Sequence, residues 1–183
     1  MNEHVVLVDE DNNKVGIANK YEVHTNQTPL HRAFSLFIFN NSGDLLLQQR
    51  ASTKKTWPNI WSNSVCGHPA DGESFKDAAI RRADYELGIK LKSENLTIVL
   101  PEYRYRYEHL GVVENEFCPV LVAFGDFKVR ANPDEVKSTR WLKWADFLSE
   151  ITKPNQYSEW CQEEAELLNK NAVFNKLYTE NVT

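Results

Sequence analysis

The chain has 183 residues, 42% apolar and 11% aromatic, with a formal charge of −5 and a pI near 5.6. That length suits a single domain, residues 1–183, with enough chain to bury a core, and the acidic balance excludes general nucleic-acid binding, which calls for a basic surface. No stretch approaches the ~18–20 apolar residues of a membrane span, and the opening MNEHVVLVDEDNN lacks the basic start and apolar centre of a secretory leader.

Three cysteines, Cys66, Cys118 and Cys161, have no framework spacing, which predicts reduced thiols and a cytoplasmic setting. No membrane partner is expected, and nothing requires more than a monomer. In chain order, HVVLVDEDNNKVGIANK predicts two short strands around an Asp/Asn turn. RAFSLFIFNNSGDLLLQQR predicts a hairpin: apolar β-formers, a turn at NNSGD and a return strand ending at Arg50. STKKTWPNIW reads as a loop broken by Pro58. Residues 74–87 read as a helix that Gly88 ends. LTIVLPEYRYRYE and GVVENEFCPVLVAFGDF each read as one strand, and TRWLKWADFLSEI as a strand followed by a short helix. From Tyr157 the chain reads as amphipathic helix, continuing helically to about residue 180. Strands on both sides of one buried helix, with helices at the end, make the class α/β or α+β.

Chemistry concentrates at SNSVCGHPADGE, residues 62–73, and the helix after it. Gly67, Glu73, Arg81, Glu86 and Gly88 fall at the spacing of the Nudix box, and the stretch resembles it. That loop–helix–loop normally presents several glutamates to a divalent cation that grips a diphosphate. The chain departs from it where Arg82 and Tyr85 stand at positions that are usually glutamate. Hydrolysis then loses much of its machinery, although Glu86 still offers a carboxylate. Arg82 and Glu86 are one helical turn apart and share a face; taken alone they are an ordinary ion pair.

His24, His31 and His68, with Glu114 and Glu116 two apart on a predicted strand, form a mixed nitrogen and oxygen set. Such a set suits a first-row divalent ion, and Zn²⁺, Mn²⁺ and Mg²⁺ each fit some of its members. Two carboxylates side by side repel unless a cation or proton compensates them. His4 and His109 have nothing near them to complete a site. Cys118 and Cys161 read as packed thiols, and Trp57, Trp61, Trp141 and Trp144 as packing residues.

LHRAFSLFIFN, SNSVCGHP, IRRADYELG, YRYR and VENEFCPV occur in the order and spacing of the type I isopentenyl-diphosphate isomerases, which the chain resembles from about residue 4 to about residue 160. The resemblance implies a Nudix-like fold of mixed sheets around the loop–helix–loop, flanked by helices. It also implies metal-dependent interconversion of isopentenyl and dimethylallyl diphosphate in isoprenoid synthesis. Moving the double bond needs an acid on one side, a base on the other and something to calm a tertiary cation. By the same resemblance Glu116 delivers a proton, with Tyr105 hydrogen-bonded nearby, and Cys66 takes one as thiolate, which requires positive charge to lower its pKa. Trp160 supplies the aromatic face. Lys20, Arg50, Lys54 and Arg82 bind the diphosphate, with Lys55 able to replace Lys54. Mg²⁺ joins the diphosphate to Glu86 and the Cys66 backbone carbonyl, a second divalent ion occupies the His/Glu set, and no flavin is needed. The competing expectation is a Nudix hydrolase acting on a diphosphate compound; a non-catalytic metal-binding module is the third.

Overall fold

The computed structural model describes residues 4–153 and 156–183. The chain runs β1 (His4–Val8), β2 (Lys14–Asn19), α1 (Lys20–Val23), β3 (His31–Arg32), β4 (Phe34–Phe39), β5 (Asp44–Arg50), β6 (Trp61–Ser62), β7 (Val65–Gly67) and α2 (Phe75–Leu87). A 3₁₀ turn at Ser93–Asn95 leads into β8 (Leu96–Leu100), β9 (Arg104–His109), β10 (Val112–Phe117), β11 (Val120–Phe124), β12 (Val136–Lys143), α3 (Trp144–Glu150), α4 (Glu159–Lys170) and α5 (Ala172–Asn181). One sheet has the order β2-β1-β3-β10-β9; the other has β12-β5-β4-β11-β8, with β6 on β5 and β7 on β4.

The second sheet is covered on both faces, which explains why its strands read as nearly continuous apolar runs. In β4, Phe34, Leu36 and Ile38 pack with Ala78, Ala79, Ala83 and Leu87 of α2. Phe37 and Phe39 point the other way, into a core shared with Phe147, Trp160, Leu168 and Phe174 of α3 to α5. Leu45 and Leu47 of β5 alternate with Leu46 in the same manner, as the two-residue period of a strand requires. Helix α2 begins at Ser74, whose hydroxyl accepts from the Asp77 N–H at 3.1 Å. It ends at Gly88, where φ is +65° and a Cβ would lie 3.1 Å from that of Arg130.

Three expectations need correction. The hairpin partners β4 and β5 pair only at Phe39 and Leu45, beside the turn, and then diverge to other neighbours. Each of the two longer predicted strands is two strands in different sheets: β8 parts from β9 after Pro101, and β10 from β11 at Cys118-Pro119. A proline has no N–H for a ladder, so these breaks fall where pairing must change. The C-terminal helical stretch divides at Asn171, which caps α5 by accepting from the N–H groups of Val173 and Phe174.

Two chain segments cross between the sheets side by side. Strands β3 and β10 are parallel, with His31 opposite Glu116 and Arg32 opposite Phe117. Beyond the crossing β4 and β11 are also parallel, with Ser35 opposite Val120. The Ala33 N–H donates to the Phe117 carbonyl at 2.9 Å and the Ser35 N–H to that of Pro119 at 3.1 Å, so the register survives the passage.

Candidate active site

The crossing places a cluster of imidazoles and carboxylates beside it. Glu116 on β10 lies opposite His31 of β3 on one side and Tyr105 of β9 on the other. His24 follows α1 directly, and His68 follows β7. One ligating atom each from His24, His31, His68 and Glu116 lie within 4.8 Å of one another. Nδ1 of His24 is 3.0 Å from the Lys20 carbonyl and Nδ1 of His31 is 2.9 Å from that of Pro29. A carbonyl only accepts, so both Nδ1 atoms carry hydrogen and both Nε2 lone pairs face inward.

Those lone pairs meet carboxylate oxygens: His24 Nε2 is 3.2 Å from Glu114 Oε2, and His31 Nε2 is 3.5 Å from Glu116 Oε1. Among the described residues, the two Nε2 atoms and Glu114 Oε2 have no hydrogen-bond partner. Acceptors facing acceptors in a buried place are stable only with a cation or proton between them, and the donor set fits a divalent ion. Glu114 stands on the His24 side, outside the four-atom cluster. Burial holds the His68 imidazole down to about 4 despite Glu116, so it is neutral near pH 7. Burial opposes charge on His24 as well, but Glu114 outweighs it and raises the pKa.

On the second sheet, Cys66 lies across from Ser35 in the β4–β7 pairing. Its thiol donates to Asn63 Oδ1 at 3.1 Å. The Asn63 amide is held by donation from Nδ2 to the carbonyls of Leu36 (3.2 Å) and Val65 (3.1 Å), so an acceptor is fixed against the sulfur. Burial and then Glu164 push the Cys66 thiol up to about 12, against the pull of Arg50. Desolvation and the nearby carboxylate outweigh the one guanidinium here, so the Cys66 side chain carries its proton. Gly67 leaves room for its neighbours, since a Cβ there would lie 3.0 Å from Arg82 Cγ and 3.2 Å from Phe34 Cε1. Arg81 holds the loop from outside, donating to Glu73 at 2.8 and 2.7 Å and to the His68 carbonyl at 3.1 Å.

Cys66, Tyr105, Glu116 and Trp160 line one cavity of about 300 Å³, and Lys20, Arg50, Lys54 and Arg82 line it too. His24, His68 and Glu114 also reach it, whereas His31 and Glu86 lie behind its wall. Arg82 donates from Nε and Nη2 to Glu86 Oε1 at 2.9 and 2.7 Å and from Nη2 to Glu135 at 3.1 Å. Gln48 donates to Glu86 Oε2 at 3.2 Å. Lys54 pairs with Glu135, and burial with repulsion from Arg50 lowers its pKa. Lys55 also lines the cavity, but its ammonium is exposed and donates to the Tyr21 carbonyl at 2.9 Å.

Tyr105 donates to Glu116 Oε2 at 2.5 Å, and its ring stacks on that of Trp160 with centroids 5.6 Å apart. Trp160 is anchored through its helix: the Trp57 indole donates to Glu159 at 2.6 Å, and the hydroxyls of Tyr103 and Tyr107 donate to Glu163 at 2.7 and 2.5 Å. His4 accepts from the Asp71 N–H and His109 stacks on Trp57, both away from the cluster.

The NUDIX domain family matches residues 29–162. The isopentenyl-diphosphate Delta-isomerase of Saccharopolyspora erythraea is 45% identical over 91% of this chain and 86% of its own length. That of Kocuria rhizophila is 48% identical over 86% of this chain and 88% of its own.

The chain belongs to the isopentenyl-diphosphate Delta-isomerase family.

Among solved structures, the DR0079 protein of Deinococcus radiodurans superposes with a TM-score of 0.69 at 22% identity, covering 90% of this chain and 98% of that one. A MutT protein from Methanosarcina mazei gives 0.61 at 17% identity, covering 78% and 94%. These likenesses establish the Nudix fold. Within this isomerase family member, the Nudix helix carries a single buried carboxylate, Glu86, turned toward Arg82, while Tyr85 is about half exposed and lies under the Arg82 guanidinium.

Sequence reasoning missed Ser35, Asn63, Glu135 and Glu164. The first three give no local signal. Glu164 does: it interrupts the buried stripe Trp160, Cys161, Ala165, Leu168 of α4, and a charged residue type on such a stripe calls for an account.

Proposed function

We propose that the protein, working as one domain, interconverts isopentenyl diphosphate and dimethylallyl diphosphate by adding a proton at one carbon and removing one from another. Cys66 and Glu116 exchange those protons, and Tyr105 holds Glu116 by its short hydrogen bond. The observation that carries the reading is one cavity that joins a thiol, a tyrosine-bonded carboxyl and an aromatic face to a group of cations. The Trp160 indole, backed by Tyr105, offers π density to a carbocation without a nucleophile to trap it. Lys20, Arg50, Lys54 and Arg82 hold the diphosphate, and Glu135 neutralises Lys54 and Arg82 until the phosphate oxygens arrive.

His24, His31, His68, Glu114 and Glu116 would hold a divalent ion, and Glu86 with the Cys66 carbonyl would hold Mg²⁺ beside the diphosphate. Such ions supply positive charge that organises carboxylates and phosphates. Glu86 still has lone pairs to offer, although both of its oxygens already accept from Arg82 or Gln48. Burial of Glu116 and of the Trp160 and Tyr105 rings limits the water that can reach the cation. Three unpaired cysteines support placement in the cytoplasm.

The test is to supply isopentenyl diphosphate in D₂O with added divalent ions and follow both allylic product and deuterium uptake. Formation of dimethylallyl diphosphate with deuterium incorporation is expected without added flavin. Release of phosphate or pyrophosphate from a nucleoside diphosphate derivative, with no allylic product, would overturn the assignment in favour of hydrolysis.

A further inference from the structure

Residues 51–60 join β5 to β6 and bring Lys54, Lys55 and Thr56 to the cavity wall. The next residue, Trp57, has a φ of +47°. A bulky side chain in that conformation crowds its own backbone, and the proline that follows favours extended backbone at the residue before it. Asn59, with φ at +64°, belongs to a residue type that tolerates the left-handed region; tryptophan does not. Such strain persists only where the surroundings hold it.

Side chains of α4 and β9 do the holding. The Trp57 indole N–H donates to Glu159 Oε2 at 2.6 Å, and its ring meets that of Trp160 edge to face with centroids 5.0 Å apart. It also stacks on His109 at 5.2 Å. Trp57 is buried behind the cavity wall, out of reach of substrate. Arg50 holds the same loop from the cavity side, donating to the Thr56 carbonyl at 3.0 and 2.9 Å and to its hydroxyl at 2.9 Å. Phosphate oxygens compete for that guanidinium, whereas the Trp57 contacts are the same with or without substrate. The Trp160 N–H, for its part, has no hydrogen-bond partner among the described residues. Packing against Tyr105 and Trp57 therefore orients its ring.

We propose that Trp57 is a positioning residue: through Glu159 and Trp160 it ties the loop that carries Lys54 to the first turn of α4, and so fixes the distance from the diphosphate-holding cations to the Trp160 face. The substrate is gripped at one end and reacts at the other. A small change in that span misplaces the reacting carbons even though each end still finds its partners. This inference rests on the isomerase reading, in which Trp160 faces the hydrocarbon.

The test compares Trp57→Phe, Glu159→Gln, Glu159→Met and the Trp57→Phe/Glu159→Met double variant, each checked by thermal unfolding. Phe keeps a ring and loses the donor; Gln keeps an acceptor for the indole, and Met keeps none. Expected is a kcat/KM for isopentenyl diphosphate lowered roughly 10–100-fold in Trp57→Phe and in Glu159→Met, but within about threefold of the parent in Glu159→Gln. The double variant should lose no more than either single one. Inhibition by inorganic pyrophosphate, which probes the diphosphate end alone, should stay within about threefold of the parent throughout. Trypsin should cut after Lys54 or Lys55 at least about tenfold faster in the Phe and Met variants, because the loop opens more often. Full kcat/KM in Glu159→Met, equal losses in its Gln and Met variants, additive losses in the double variant, or unchanged tryptic rates would each overturn the proposal. So would pyrophosphate inhibition that weakens in step with kcat/KM, the mark of a loop that has merely collapsed. Should Trp57→Phe fail to fold, the two variants at half-buried Glu159 carry the test. A parent that makes no allylic product would remove the isomerase reading instead, and the tryptic rates would still report the tie.

Discussion

Replacing Cys66 with alanine separates chemistry from folding, because the structure makes the two costs very different. The side chain loses one sulfur at a partly exposed position. Its acceptor, Asn63 Oδ1, keeps a second donor in the Ser62 hydroxyl at 2.9 Å, so no buried acceptor is orphaned. The stability cost is then about 1 kcal/mol, which lowers the Tm of a domain of this size by roughly 2–4 °C. Removing a proton-exchanging group costs far more in rate, about 10²–10⁴-fold, equivalent to ~3–5 kcal/mol of barrier. The assay is chromatographic conversion of isopentenyl diphosphate in D₂O, with a parallel thermal melt. A variant that melts within a few degrees of the parent and still turns over within about tenfold of it would refute the assignment, since general acid–base catalysis is worth more than that.

Four further outcomes follow from the geometry. Arg82→Met leaves Glu86 buried without its guanidinium, and urea unfolding should show a loss of about 3–5 kcal/mol; a loss below about 1 kcal/mol would mean that the pair carries no such burden. Gly67→Ala crowds the Arg82 stem, and steady-state kinetics should show KM for the diphosphate rising more than kcat falls. Glu73 is held below its ordinary 4.5 mainly by Arg81, so its stabilisation is complete above that pH and is lost as pH falls through the folded value. Unfolding measured across the acid range should therefore show Glu73→Gln losing less stability on acidification than the parent, and parallel curves would contradict the linkage. His68→Ala removes one imidazole from the four-atom cluster, so competitive chelator titration with Mn²⁺ or Zn²⁺ should show affinity lowered by at least about tenfold; an unchanged affinity would exclude His68 as a ligand.

Much of this site is legible in the residue order because its parts lie in short, chemically distinctive stretches. The Ser74 cap and the Gly88 terminator bound α2 where sequence reading bounds it. Glu114 and Glu116 share a strand face because the period of a strand leaves no choice. Apolar runs, by contrast, carry no sign of which sheet a strand joins. That is why the breaks at Pro101 and at Cys118-Pro119 were hidden inside what read as single strands. The Cys66 environment was hidden for a different reason: the thiol's pKa depends on burial and on Glu164, and Glu164 lies almost a hundred residues further along the chain. Asn63 and Glu135 belong to the same class, polar residues whose meaning comes only from side chains brought to them by distant elements.

The paired crossing beside the His/Glu cluster has a mechanical consequence. Glu116 and Tyr105 ride on one sheet and Cys66 on the other, so the gap between the proton carriers is a dimension of the fold rather than of any loop. Two parallel segments crossing in unbroken register act as a double brace that resists sliding of one sheet along the other. Substitutions at Ala33 or Pro119, neither of which lines the cavity, would alter that span and detune turnover while every reactive group stays intact.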